Sequence, residues 1–162
     1  MKTIEEYIEQ ICREHREIRH EEGGQCHFSC TSDDDLTKMA RTMRYPCVRL
    51  DVGEVYFTGE SICETATIIV LDHVRDTGNT REVLAAFQRT KKIMVDIIKR
   101  MSRDKRNQTE PLMARFNRSE CEGRRIYLDS ASLFGYFFNF NYSAGFNDED
   151  CDNAFKLTYE HR

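Results

Sequence analysis

An α+β fold, with a mixed or antiparallel β-sheet packed by a long amphipathic helix and an N-terminal helix, is what this chain predicts, on three observations. Val83, Leu84, Phe87, Met94, Ile97, Ile98 and Met101 fall on one helical stripe. Residues 133–146 alternate with the period of two that a strand requires. In 64–74, Ala66, Ile68 and Val70 alternate with Thr65, Thr67 and Ile69, so both faces are fairly apolar, as in a central strand. The chain has 162 residues, 40% of them hydrophobic, which suits one core and a single domain over 1–162.

Thr3 and Glu6 form a capping box, and Ile4, Ile8, Ile11, Cys12 and Ile18 recur at helical spacing, predicting a helix over about 4–21 that Gly23-Gly24 stops. A short strand follows at 25–30. Ser32 and Asp33-Asp34-Asp35 suit the positive end of a second helix at 32–44, with Leu36, Met39, Ala40 and Met43 on its apolar face. Pro46 disfavours helix at Tyr45, and strands are expected at 47–51, 54–58 and 64–74, with Gly53 and Gly59-Glu60-Ser61 as turns.

Residues 76–79 carry turn chemistry, and Asn79 with Glu82 predicts a second capping box opening the long helix, of about 22 residues. Residues 103–123 are polar, hold five Arg or Lys, and read as a basic loop with a helical turn around 112–116. Little burial is expected there, and hence protease sensitivity. A strand at 125–129 precedes the aromatic strand, where Phe134, Tyr136, Phe138, Phe140 and Tyr142 face one way and Gly135, Phe137, Asn139 and Asn141 the other. Residues 147–162 are a short tail.

Charge and cysteine usage exclude several classes. Lys and Arg number 24 against 28 Asp and Glu, a net charge of -4, which gives no support to bulk or sequence-specific nucleic-acid binding. No apolar run approaches the roughly 20 residues of a membrane span. The first residues lack a secretory h-region, so synthesis and folding in the cytoplasm are expected. Seven cysteines, at irregular spacing, suit reduced thiols better than a disulfide framework.

No segment carries a catalytic signature. Cys26, His27 and Cys30 are a compact trio of zinc-ligand types without a second ligand pair, so a short strand with buried thiols is the plainer reading. His15 and His20, five apart on a helix, diverge. His73, between Asp72 and Asp76, reads as a solvated strand-end histidine, and the acidic triplet lacks the alternate spacing of a calcium loop. Neither a dinucleotide fingerprint nor a phosphate-loop lysine is present. The expected catalytic, cofactor and metal sets are therefore all empty. Arg81, Arg89, Lys91, Lys92, Lys99 and Arg100, continued by Arg103, Lys105 and Arg106, form a basic stretch: a solvated face, or a contact with an acidic neighbour or passing nucleic acid.

An N-terminal helix, Tyr45-Pro46 opening a strand, Tyr56-Phe57-Thr58-Gly59-Glu60 ending the next, a long strand, a long helix and a closing aromatic strand come in an order similar to the tail-terminator and tail-completion proteins of long-tailed bacteriophages, typified by the minor tail protein U. Over about residues 4–146 that resemblance implies a non-enzymatic α/β subunit, a homo-oligomeric ring, usually hexameric, that caps the tail tube and meets the head-completion proteins, located in the virion. It also implies that the region between the second and third strands lies near subunit contacts. The helix at 32–44 and the basic loop are departures from the family pattern. The alternative is a small cytoplasmic adaptor or regulatory domain that binds a protein partner through the aromatic strand.

Overall fold

A computed structural model describes residues 2–21, 23–30, 43–59 and 61–144. The helix expected at 32–44 falls outside these residues apart from Met43 and Arg44, and the tail 147–162 falls outside them entirely. Among these residues two helices, α1 (Ile4–Glu14) and α2 (Thr80–Asn107), pack on a five-stranded mixed sheet formed by β1 (Phe28–Ser29), β2 (Cys47–Thr58), β3 (Ser61–His73), β4 (Arg124–Leu128) and β5 (Leu133–Ala144). The strand order is β1-β2-β3-β5-β4, with β1 parallel to β2 and every other pair antiparallel. The expected α+β class and the central place of the 64–74 segment are both observed.

Helix α1 starts as its sequence predicts: the Thr3 side chain accepts from the Glu6 amide, and the Glu6 carboxylate accepts from the Thr3 amide. It stops at Glu14 rather than near residue 21, because His15 is already extended and the chain turns back through Arg19, at φ 49°. Ile18 keeps the apolar rhythm without continuing the helix; it is buried from the turn itself. Helix α2 is longer than expected, 28 residues, and is capped by the Asn79 side chain, which accepts from the amides of Arg81 and Glu82. Its capping box is only half formed, since the Glu82 carboxylate accepts from the Asp76 amide instead.

Two expected turns are corrected. Gly53 does not separate two strands: 47–58 is one strand with a bulge between Val52 and Val55. Glycine is needed there, because a Cβ would lie 2.6 Å from the Thr65 hydroxyl, which accepts from the Glu54 amide. The expected loop at 103–123 is largely helical: it holds the last turn of α2, a 3-10 helix Pro111–Arg115 where a helical turn was expected, and a second at Arg118–Glu120. Leu112, Met113 and Phe116, isolated among polar residues in sequence, are all within the main core.

That core lies between the helices and one sheet face. Ile4, Ile8 and Ile11 of α1 and Ile93, Ile97 and Met101 of α2 meet Leu50, Ile68, Val70, Phe138 and Phe140. The aromatic row of β5 is thus core, as its alternation suggested, while Leu84, expected on the buried stripe of α2, is exposed. Ile69 and Leu71, pointing the other way from β3, join Met43, Cys47 and Leu133 in a second cluster on the opposite face. Each fully buried aliphatic side chain contributes roughly 1.5–3 kcal/mol.

Candidate functional site

Strand pairing between β2 and β3 continues well past the helices. From Val52 onward β2 is solvent-exposed, and the hairpin closes with Thr58 opposite Ser61, the two hydroxyls 2.7 Å apart. Across the ladder Val52 faces Ala66, Val55 faces Glu64 and Phe57 faces Ile62. Directly opposed residues share a sheet face. Val52, Val55, Phe57 and Ile62 therefore prolong the core-side face of β3 (Ala66, Ile68, Val70) into solvent. Phe57 is 77% exposed, and Val52, Val55, Tyr56 and Phe57 are four of the six large exposed hydrophobics among the described residues.

Two further features belong to this arm. β2 pairs with β1 only at Val48 and Arg49, so from Leu50 to Thr58 its outer edge has no strand partner among the described residues. At the root of the hairpin is a notch of about 270 Å³, lined by Thr3 and Ile4 at the start of α1 and by Val52, Leu112, Tyr142 and Glu64. Tyr142 donates its hydroxyl to the Glu64 carboxylate, which fixes one wall. Burial, then the neighbouring Glu64, push the Tyr142 hydroxyl far above its ordinary value, so it stays a donor through the neutral range.

The other two exposed hydrophobics, Leu84 and Tyr127, belong to the opposite end of the sheet. Tyr127 stacks on Phe134, its partner across β4–β5, and Phe134 meets Phe87 edge to face. Leu84 lies one turn before Phe87, whose ring carries the Arg125 guanidinium at 4.5 Å. Phe134 and Ala144, the β5 partners of Tyr127 and Ile62, are ten residues apart. That is about 33 Å along a strand. The molecule thus carries a convex apolar arm at one end and a separate apolar spot at the other.

The residues singled out for chemistry are not assembled into a site. Cys26 Sγ donates to the Phe28 carbonyl and contacts Met43 Sδ, while His27, buried, bonds through Nδ1 to the Pro46 carbonyl at 2.7 Å. Cys30 is exposed. Among the described residues no group of three His, Cys, Asp or Glu side chains is gathered around a point where a metal could sit. His15 and His20 are separately engaged, with Asp96 at 3.3 Å and with Glu9 at 3.0 Å. His73 is exposed at the end of β3 against the Tyr45 ring, while Asp72 pairs with Arg89 and Asp76 accepts from the Gly78 amide.

The cations of α2 divide. Arg89, Lys92 and Arg100 are paired with Asp72, Glu17 and Glu14, whereas Lys99 and Arg106 have no carboxylate partner among the described residues. Burial and the Asp104 hydrogen bond push the Tyr7 hydroxyl well above its usual value; Tyr7 donates to Asp104 at 2.9 Å, and Arg100 Nε donates to the same carboxylate at 2.9 Å. Val55 and Tyr127 did not stand out in the sequence, Phe57 did so only within the Tyr56–Glu60 string, and Leu84 was expected to be buried. Their exposure depends on how far the helix layer reaches, which no local pattern encodes. The chain matches no family model, and comparison with curated proteins and with solved structures gave no match. No helix among the described residues is long and apolar enough to cross a membrane.

Proposed function

We propose that this chain is a non-catalytic assembly subunit that associates head to tail with copies of itself into a closed ring, in the manner of a phage or prophage tail-terminator or tail-completion protein at the head–tail junction. The observation that carries the reading is the β2–β3 arm, whose apolar row of Val52, Val55 and Phe57 is exposed. Exposed apolar clusters rimmed by polar residues are the ordinary mark of a protein-binding surface. A strand edge that has no strand partner among the described residues, beside the cluster, adds backbone groups for a neighbour to pair with.

The occupant is a second copy of the chain because a complementary surface is present at the other end. Leu84 and Tyr127 supply an exposed aromatic and aliphatic pair, and the notch beside Val52 has room for an aromatic side chain. Two different surfaces on opposite ends make a heterologous contact, which propagates from subunit to subunit and closes into a ring when the rotation allows. The tail tube and the head-completion proteins would then meet the two rims of that ring. The sequence order of elements, similar to that of tail terminators, is what suggests this kind of subunit.

Light scattering across a concentration series, with electron microscopy of the largest species, tests it. Closed rings of uniform subunit number are the expected result. A chain that remains monomeric to its solubility limit contradicts the reading and favours the adaptor alternative, in which the same arm holds a different protein.

A further inference from the structure

Helix α2 carries nine Lys or Arg and three Asp or Glu in a chain whose net charge is -4. Charge segregation of that kind has an energetic cost in mutual repulsion unless something anionic approaches. Five of the nine, Lys99, Arg100, Arg103, Lys105 and Arg106, gather at one place. Along the last turns of α2, Lys99, Arg103 and Arg106 (i, i+4, i+7) lie on one face. Arg118, carried by the 3-10 helix Arg118–Glu120, comes across from the far wall. Together they line a trough of about 390 Å³ with Ser102 and Arg100. A neighbouring cavity of about 250 Å³ shares Ser102, Arg106 and Arg118 and adds Lys105, so the two lie side by side.

Its floor is fixed. Arg100 is held by Glu14 and by Asp104 at 2.9 Å, and Lys105 donates to the Phe116 carbonyl. Lys99, Arg106 and Arg118, by contrast, have no carboxylate partner among the described residues, although acidic residues outnumber basic ones in the chain. The one carboxylate lining the trough, Asp96, is 3.3 Å from His15 Nε2.

We infer that this trough binds the phosphate backbone of duplex nucleic acid without reading its sequence. An acidic protein partner is the other anionic candidate, but tight protein interfaces draw most of their energy from buried aromatic and aliphatic anchors. No aliphatic or aromatic residue lines the larger cavity, and Phe116 in the smaller one is already buried in the core. Phosphate contacts need only cations and donors, which is what the trough offers. Single strands are gripped by stacking on exposed aromatic rings, and none lines either cavity. The contact is sequence-indifferent because the lining is mainly Lys and Arg, the residue types that hold phosphates. It requires only the single subunit and is independent of ring formation.

The test is fluorescence anisotropy of the full chain with a labelled DNA duplex about two turns long. Binding is expected at low salt, alike for unrelated sequences, with log K falling against log salt at a slope between about -3 and -4 for four phosphate contacts. The double variant Arg106→Gln/Arg118→Gln should bind about tenfold to a hundredfold more weakly, with a slope shallower by about two units. Arg106→Lys/Arg118→Lys restores most of the affinity, and Arg81→Gln, about 27 Å up the helix, leaves it unchanged. Thermal melts of each variant separate lost binding from lost fold, and Arg118→Gln alone serves if the double variant does not fold. Absence of low-salt binding overturns the inference, as does equal affinity in folded Arg106→Gln/Arg118→Gln. Tighter binding of single-stranded DNA or of polyglutamate than of duplex likewise overturns it, in favour of a stacking site or an acidic protein partner.

Discussion

The two ends of the β2–β3 hairpin use the same strands and nearly the same residue types, yet they live in different surroundings. At the base, Val48 and Leu50 pair with Val70 and Ile68 beneath both helices and are wholly buried. Past the bulge at Gly53, Val55 and Phe57 pair with Glu64 and Ile62 on the same face and have nothing over them sufficient to exclude water. Burial at the base stabilises the subunit. Apolar exposure at the tip contributes nothing to the isolated subunit and is available for association, as the proposed head-to-tail contact requires.

The sharpest way to separate base from tip is to disturb the base. Gly135 is where β5 passes closest to β3: a Cβ there would lie 1.8 Å from the Val70 carbonyl oxygen, which is backbone and cannot swing aside. Gly135→Ala should therefore open the β3–β5 ladder and lower stability by about 3 kcal/mol or more, at the upper end of overpacking costs. A melting curve close to that of the parent chain would mean the strands are further apart than described.

Next in size is a matched pair. Leu50→Ala at the base should lower stability by about 2–5 kcal/mol, whereas Phe57→Ser at the tip should change it by no more than about 0.5 kcal/mol in the monomeric state. Chemical denaturation of both variants decides this. Comparable losses would make the tip part of the core and remove the contrast.

The smallest effect is a dependence on alkaline pH at the core side of α1. Burial and Asp104 raise the Tyr7 hydroxyl far above the ordinary value of about 10. Below that ordinary value Tyr7 is protonated in both states and its contribution is intact; above it the unfolded chain releases the proton while the folded chain retains it, so stability falls as pH rises. Tyr7→Phe should flatten part of that fall, while lowering neutral stability by about 1.5–3 kcal/mol through the lost hydrogen bond to the Asp104 carboxylate, which keeps its Arg100 partner. An unchanged alkaline limb in the variant would show that Tyr7 does not report the packing of α1 on α2.

Much of this fold was legible in the sequence where a period ran unbroken. The stripe of α2 and the alternation of β5 each repeat over enough residues to override local noise, and apart from Leu84 at the start of α2 both landed on the core or its margin as expected. Failures came where a local signal had two physical meanings. Gly53 reads as a turn and is a bulge, because glycine serves either need. Ile18 extends the rhythm of α1 but is buried from a turn, and Leu112, Met113 and Phe116 look isolated because 3-10 turns bury residues without a helical repeat. Surface features were less legible still. The basic run of α2 was visible, but that Arg118 closes over it depends on tertiary folding, as does the exposure of Phe57 and Tyr127 at opposite ends.

Mixing two broken subunits tests head-to-tail association most directly. Val55→Ser/Phe57→Ser removes the arm surface, and Leu84→Ser/Tyr127→Ser removes the surface at the other end. Each variant alone should be monomeric by light scattering, but an equimolar mixture should give a one-to-one dimer, since each supplies the surface the other lacks. If the mixture stays monomeric, or if the arm variant still assembles alone, the hairpin is not the contact that joins one copy to the next.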